Sequence, residues 1–174
     1  MLLETRRLRL RAPRPSDADA VFAYASDPEV TRYMDWVTHA SRDDAVAFLD
    51  GALERRAAGT ETTWMMTVPP DDGAIGVISC RMRGHAADFG YALDRRYWGR
   101  GYTTEAARAV VGWASGLEHV HRVWATCDVE NVASARVLEK AGLQREGVLR
   151  CWSIKPNIGP VPRHSYMYAR IRGR

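Results

Sequence analysis

The stretch "DFGYALDRRYWGRGYTTEA", residues 88–106, takes the chain out of a strand and into a helix through a turn holding Gly99 and Gly101. The first part reads as a strand, and a helix-forming run begins at Thr103. Glycine adopts positive φ without steric cost and lets backbone amides approach a ligand with no Cβ in the way. The first N–H groups of a helix have no intrahelical partners and lie at the positive end of its dipole. A glycine turn opening into a helix is therefore an anion site, with Arg96 and Arg100 adding charge and Thr103 and Thr104 adding hydroxyl donors. The Gly-Lys-Ser/Thr ending of a P-loop is missing, and so is the third glycine of the dinucleotide fingerprint.

The chain has 174 residues, enough to bury a real core, and residues 1–174 read as one domain. Hydrophobic residues at 46% and charged residues at 26% exclude a disordered chain. No apolar run approaches the ~20 residues of a membrane span. The opening "MLLETRRLRLR" lacks the apolar core of a signal peptide, so a cytoplasmic protein with no membrane partner is expected. Cys80, Cys127 and Cys151 stand singly, as reduced thiols of the cytosol do. His119 and His121 have no evident third ligand, so no metal is expected. The net charge is +4, yet of 25 basic residues only Lys140 and Lys155 are lysine. In "RRLRLR" Leu8 and Leu10 alternate with Arg7, Arg9 and Arg11, which describes an amphipathic strand with a solvated arginine face. Nucleic acid is accordingly not the expected partner, and an arginine-rich nucleic-acid binder is kept only as a rival class.

The organisation reads as mixed α/β. A strand at 6–12 leads to a helix that Ser16 can cap, and Ser41 caps a second helix ended by Gly59. Strands at 62–68, 74–82 and 87–94 form an antiparallel meander. After the glycine turn come a helix at 103–116, the strand "HRVWATCD", the helix "VASARVLEKA" closed by Gly142, and strand segments at 144–154 and 163–171. In "DVENVASARVLEKAGL", Asn131 stands where an N-cap belongs and Ser134 one helical turn on. Taken alone, this pair is a cap and a surface serine.

Together, "DFGYALDRRYWGRGYTTEA", "NVASARVLEKAGL", the opening "TRRLRLRAPRPSDADAVFAYASDPEV" and the closing "RHSYMYARI" resemble the GNAT acetyltransferases over nearly the whole chain. Within that superfamily the chain is most similar to the branch containing ribosomal-protein-alanine N-acetyltransferases. The resemblance implies a largely antiparallel twisted sheet with helices on both faces and a cofactor cleft between splayed strands. It implies acetyl-CoA as cosubstrate, with the coenzyme A pyrophosphate on Arg96, Trp98, Gly99, Arg100, Gly101, Tyr102, Thr103 and Thr104. It assigns the pantetheine arm to the main chain of Ala92 and Leu93. Asn131 would bind the cofactor arm, and Arg136 and Lys140 would lie near the adenosine phosphates, although Lys140 could equally pair with solvent or a nearby acid.

The implied chemistry is direct attack of a primary amine on the thioester in a ternary complex. Ser134 matches the serine placed near the sulfur, and Asp88 matches an acidic position that could deprotonate the amine through water. Glu105 or water are the alternatives for the base. His164 stands where this branch would have an acidic residue, which puts substrate inference from the last strand in doubt. The acceptor, a protein N-terminus or a small-molecule amine, should meet "DPEVTRYMDW" and "KPNIGPVP". A noncatalytic acyl-CoA-binding domain is the rival reading, and a homodimer is left open.

Overall fold

The computed structural model describes residues 1–173. The strands are β1 (Leu3–Glu4), β2 (Arg9–Arg11), β3 (Glu61–Thr67), β4 (Ala74–Arg83), β5 (Ala86–Leu93), β6 (Arg122–Asp128), β7 (Gln144–Lys155) and β8 (Gly159–Ile171). The helices are α1 (Ala18–Ala25), α2 (Pro28–Thr31), α3 (Arg42–Ala57), α4 (Tyr102–Gly116) and α5 (Val132–Lys140). One eight-stranded sheet runs in the order β1-β2-β3-β4-β5-β6-β8-β7. The β5–β6 pair is parallel and the other neighbouring strands are antiparallel.

Strand alternation builds a core on each face of the sheet. Trp64, Met66, Ile78, Phe89, Leu93 and Val123 pack with α4 and α5 residues such as Val110 and Leu138. Met65, Val77 and Ala92 point the opposite way and pack with Val21, Tyr24 and Leu49 of α1 and α3. Helices thus cover both faces, as expected for this fold class. Ser41 opens α3 through a capping box in which Asp44 accepts from the backbone N–H groups of Ala40 (2.8 Å) and Ser41 (2.9 Å).

Two local expectations need correcting. Ser16 does not cap α1: it lies inside a 3₁₀ turn (Pro15–Asp17), and it is Asp17 that accepts from the Arg14 N–H at 2.8 Å. Nor is the arginine face of β2 wholly solvated. Arg11 is buried, donating to both carboxylate oxygens of Asp17 (2.6 and 2.8 Å) and to Asp72 Oδ1 (2.9 Å). Alternation gave it the outer face, but the turn entering α1 folds back over that face and supplies the carboxylates. Other arginines are also taken up by acids: Arg7 by Glu105, Arg42 by Asp19, Arg122 by Glu146 and Arg163 by Asp128.

Removing one partner of a buried ion pair strands the other charge and costs more than the pair is worth when intact. Asp17→Ala should therefore lower the unfolding free energy by about 3 kcal/mol in urea denaturation. A loss below about 1 kcal/mol would mean that Asp72 alone satisfies Arg11.

Candidate active site

The β5–β6 ladder is short. It pairs Ala86 with Arg122, Ala87 with Val123 and Asp88 with Trp124, and then stops, although both strands continue. Asp94 N–H donates to Ile75 O at 2.9 Å, and His121 N–H donates to His85 O at 2.8 Å. These bonds fix the direction of every peptide group along β5. Even-numbered residues face β4, and odd-numbered residues face β6. Past Asp88, whose pairing with Trp124 already uses the N–H of Phe89, the C=O of Phe89 and the peptide groups of Tyr91 and Leu93 point into the gap where the two strands diverge. This locates the main-chain contacts expected of Ala92 and Leu93 differently. Ala92 turns its peptide groups toward Val77 on β4, and Leu93 O already accepts from Trp98 Nε1 at 2.8 Å.

A cavity of about 960 Å³ occupies the gap. Its lining comes from both faces of the sheet. Phe89, Tyr91, Cys127, Ser134 and Leu138 lie on the α4–α5 side, while Val77, Ser79, Arg81, Ala92 and Tyr24 lie on the α1–α3 side. The cleft thus passes through the sheet at the point where the ladder opens.

On the α4–α5 side, Asn131 caps α5, its Oδ1 accepting from Ser134 N–H at 3.0 Å. The side chain of Ser134 is no plain surface group. Its Oγ lies 2.7 Å from Tyr91 Oη, and both residues line the cavity. Burial pushes the Tyr91 phenol up against the opposing pull of its Ser134 bond, so Tyr91 is a neutral hydroxyl. Sequence reasoning missed Tyr91, whose side-chain direction depends on a strand register the sequence does not show. Cys127 faces the same hydroxyl from β6, and burial pushes its thiol up to about 11.

The glycine turn has the geometry its composition demands. Gly99 and Gly101 have φ of 73° and 77°, and Gly101 is the N-cap of α4. A Cβ at Gly99 would meet nothing within 4 Å and one at Gly101 only Arg7 Nη2 at 3.6 Å, so positive φ, not crowding, makes these positions glycine. Arg96 bonds Asp94 through both carboxylate oxygens; burial would push that carboxyl up, but Arg96 holds it below the usual range. Arg100 lies over the Tyr97 ring at 5.7 Å. Arg136 and Lys140 are exposed on α5.

Two acid candidates are not placed for base chemistry. Asp88 is buried, does not line the cavity, and has both oxygens occupied: Arg81 donates to Oδ2 and Arg83 to Oδ1, each at 2.7 Å. The resemblance implied a base here, but the cross-strand register that puts Arg81 opposite it is invisible in a local motif. Glu105 is a staple between the N-terminal segment and α4. Thr5 Oγ1 (2.6 Å) and the backbone N–H of Arg7 (2.7 Å) donate to it, and burial's upward push is overcome by these bonds and by Arg7.

On the α1–α3 side, residues Tyr33–Ala40 form one wall. Asn157 in the β7–β8 turn holds that wall: its amide donates to Thr31 O (2.7 Å) and Trp36 O (2.9 Å), and its oxygen accepts from Thr38 N–H (2.9 Å). "TRYMDW" and "KPNIG" are therefore brought together. His164 serves β7 instead, its Nδ1 accepting from the N–H of Cys151, a bulge residue at φ 49°.

A sheet parted at a parallel pair, a glycine-capped helix beside it and hydroxyls at the parting define an acyltransferase. The family model "Acetyltransferase (GNAT) domain" matches residues 7–144, and the chain belongs to that family. It is 30% identical over 151 residues to an uncharacterized N-acetyltransferase, p20, of Bacillus licheniformis, with 85% of each chain covered. It is 31% identical over 83 residues to the ribosomal protein uS5-alanine N-acetyltransferase of Escherichia coli, covering 45% of this chain and 43% of that one. A solved ribosomal L7/L12 alpha-N-protein acetyltransferase in complex with coenzyme A shares the fold at a TM-score of 0.86 and 20% identity, over 99% of this chain and 98% of that one.

Two outcomes follow from this geometry. Asp88→Asn should destabilise the protein by about 2 kcal/mol, through weakened charge-assisted bonds, while leaving the shape of the pH–rate profile unchanged. A profile whose acid limb disappears would restore Asp88 as a base. At pH 8, iodoacetamide should label exposed Cys151 and spare Cys127 and Cys80, whose thiol burial pushes up to about 12. Peptide mass spectrometry reads this directly, and early labelling of Cys127 would show an ionised thiol in the cleft.

Proposed function

We propose that this chain is an acetyl-CoA-dependent N-acetyltransferase of the cytoplasm that acylates a primary amine by direct attack in a ternary complex. The observation that carries the reading is the opened β5–β6 ladder with the Ser134–Tyr91 hydroxyl pair beside it. The residues present fit the cosubstrate. The free amides of the Gly99–Thr104 turn suit a pyrophosphate, the unpaired C=O of Phe89 and peptide groups of Tyr91 suit an amide-bearing arm laid beside β5, and exposed Arg136 and Lys140 suit further phosphates. Asn131 spends its oxygen on the cap and keeps its amide hydrogens for that arm. When bound, acetyl-CoA supplies an activated acyl group on a thiol that can leave.

The chain's own groups do the rest. Backbone N–H groups of β5 that face the gap donate to an oxygen gaining negative charge, without needing to reorganise. With Tyr91 donating to Ser134 Oγ, the serine keeps its own proton and delivers it to a sulfur in the cleft. Cys127, its thiol pushed up by burial, stays protonated and does not compete as a nucleophile. A protein N-terminus is favoured as acceptor by the ribosomal-protein acetyltransferases among the relatives, and a small-molecule amine is the alternative.

Ser134→Ala should bind acetyl-CoA nearly as the parent does in calorimetry while turning over at least ~30-fold more slowly, near the lower end of general-acid effects. Equal losses of binding and rate would make Ser134 a cofactor contact instead. No coenzyme A release by the parent with any N-terminal peptide or amine would sink the whole reading.

A further inference from the structure

A chain of polar groups on the α1–α3 side of the cavity has no part in the reading above. Thr63 Oγ1 donates to Glu61 Oε1 at 2.9 Å and lies 2.9 Å from Ser79 Oγ. Thr63 is fully buried, whereas Glu61 and Ser79 both line the cavity. Cross-strand pairing sets the row: Thr63 stands opposite Ser79 on β4, and Ser79 stands opposite Gly90 on β5. Gly90 lies on the strand that borders the gap, and a Cβ there would meet only Arg81 Nη2 at 4.0 Å. Space is therefore open beside Ser79, one strand from the parted edge.

The direction of these bonds follows from counting hydrogens. A hydroxyl has one proton to give, and Thr63 gives its proton to Glu61. Ser79 must therefore donate to Thr63, which leaves the Ser79 lone pairs unspent and facing the cavity. Glu61 Oε1 is covered by Thr63, and Oε2 faces Arg55 Nε at 3.5 Å. Ser79 is thus the accepting end of a wire whose sink is a carboxylate.

We infer that Ser79, Thr63 and Glu61 form a proton relay that deprotonates the acceptor ammonium, an inference that rests on the acetyltransferase reading. The ammonium gives one proton to Ser79 Oγ. Ser79 passes its own proton to Thr63 Oγ1, and Thr63 passes its own to Glu61. The nitrogen keeps the electron pair of the broken N–H bond as the attacking lone pair. An ammonium and a carboxylate become an amine and a carboxylic acid, with charge and protons balanced. Ser79 touches the acceptor, whereas Thr63 and Glu61 act through it. The charged groups facing Glu61 are Arg55 from α3 and Arg81 from β4, with Asp88 of β5 beyond Arg81; Arg56 of α3 reaches the Thr63 carbonyl instead, and the Cys80 thiol lies in the core on the opposite face of the sheet.

Thr63→Val keeps the shape and removes the wire. At neutral pH it should lower kcat/KM at least ~30-fold, with the deficit closing as pH nears the pKa of the free amine, about 8 for an α-amino group or about 10.4 for lysine. Thr63→Ser should restore the parent profile, and acetyl-CoA affinity should not move in either variant. If Thr63→Val fails to fold, Ser79→Ala on the cavity wall must show the same pH-dependent loss. In the free protein, proton NMR should find a Thr63 hydroxyl resonance protected from exchange that persists in Ser79→Ala, because Glu61 holds it. An active parent with a Thr63→Val or Ser79→Ala profile superimposable on its own would overturn the relay and leave the acetyltransferase reading standing. Loss of the hydroxyl resonance in Ser79→Ala would reverse the assigned direction and overturn it too. A parent inactive toward every amine tested would overturn both.

Discussion

The β5–β6 pairing that ends after Asp88 and Trp124 is the constraint from which the rest of the site follows. A buried strand normally spends its peptide groups on neighbours, because an unpaired buried N–H or C=O is costly. Here two adjacent strands part company inside a sheet that helices cover on both faces. The acceptor of Phe89 and both peptide groups of Tyr91 are left for something else to satisfy. Everything that matters for acyl transfer is arranged around that opening. The glycine turn lies at the end of β5, Ser134 stands at the start of α5 just past β6, and the Glu61–Thr63–Ser79 row runs toward the opening from the far side.

Much of this was legible in the sequence, for reasons that can be stated. Positive φ at Gly99 and Gly101 and the Asn131 cap of α5 depend on residues close together in the chain, and composition reports such features faithfully. The burial of Leu8 and Leu10 follows from alternation for the same reason. The meeting of the two segments in one wall was also anticipated, although Asn157, which holds it, was not singled out.

What escaped were pairings set by register. Asp88 looked like a base until β4 placed Arg81 opposite it and Arg83 nearby. Arg11 looked solvated until the turn before α1 closed over it. Ala92 follows from position in the resemblance, but the parity that turns its peptide groups toward β4 cannot be read until one hydrogen bond fixes it. Tyr91 and Glu61 were passed over for a related cause. Tyr91 lies within the strand-to-helix motif and Glu61 outside any motif, but each gains meaning from a partner on another element, 43 residues away for Ser134 and two strands away for Gly90.

The cleft runs through the sheet, with the Ser134 end on one face and the Trp36–His39 wall on the other. Its two ends offer different chemistry, hydroxyls and a thiol on one face and the Trp36–His39 loop on the other. A single compound long enough to thread the opening would occupy both at once.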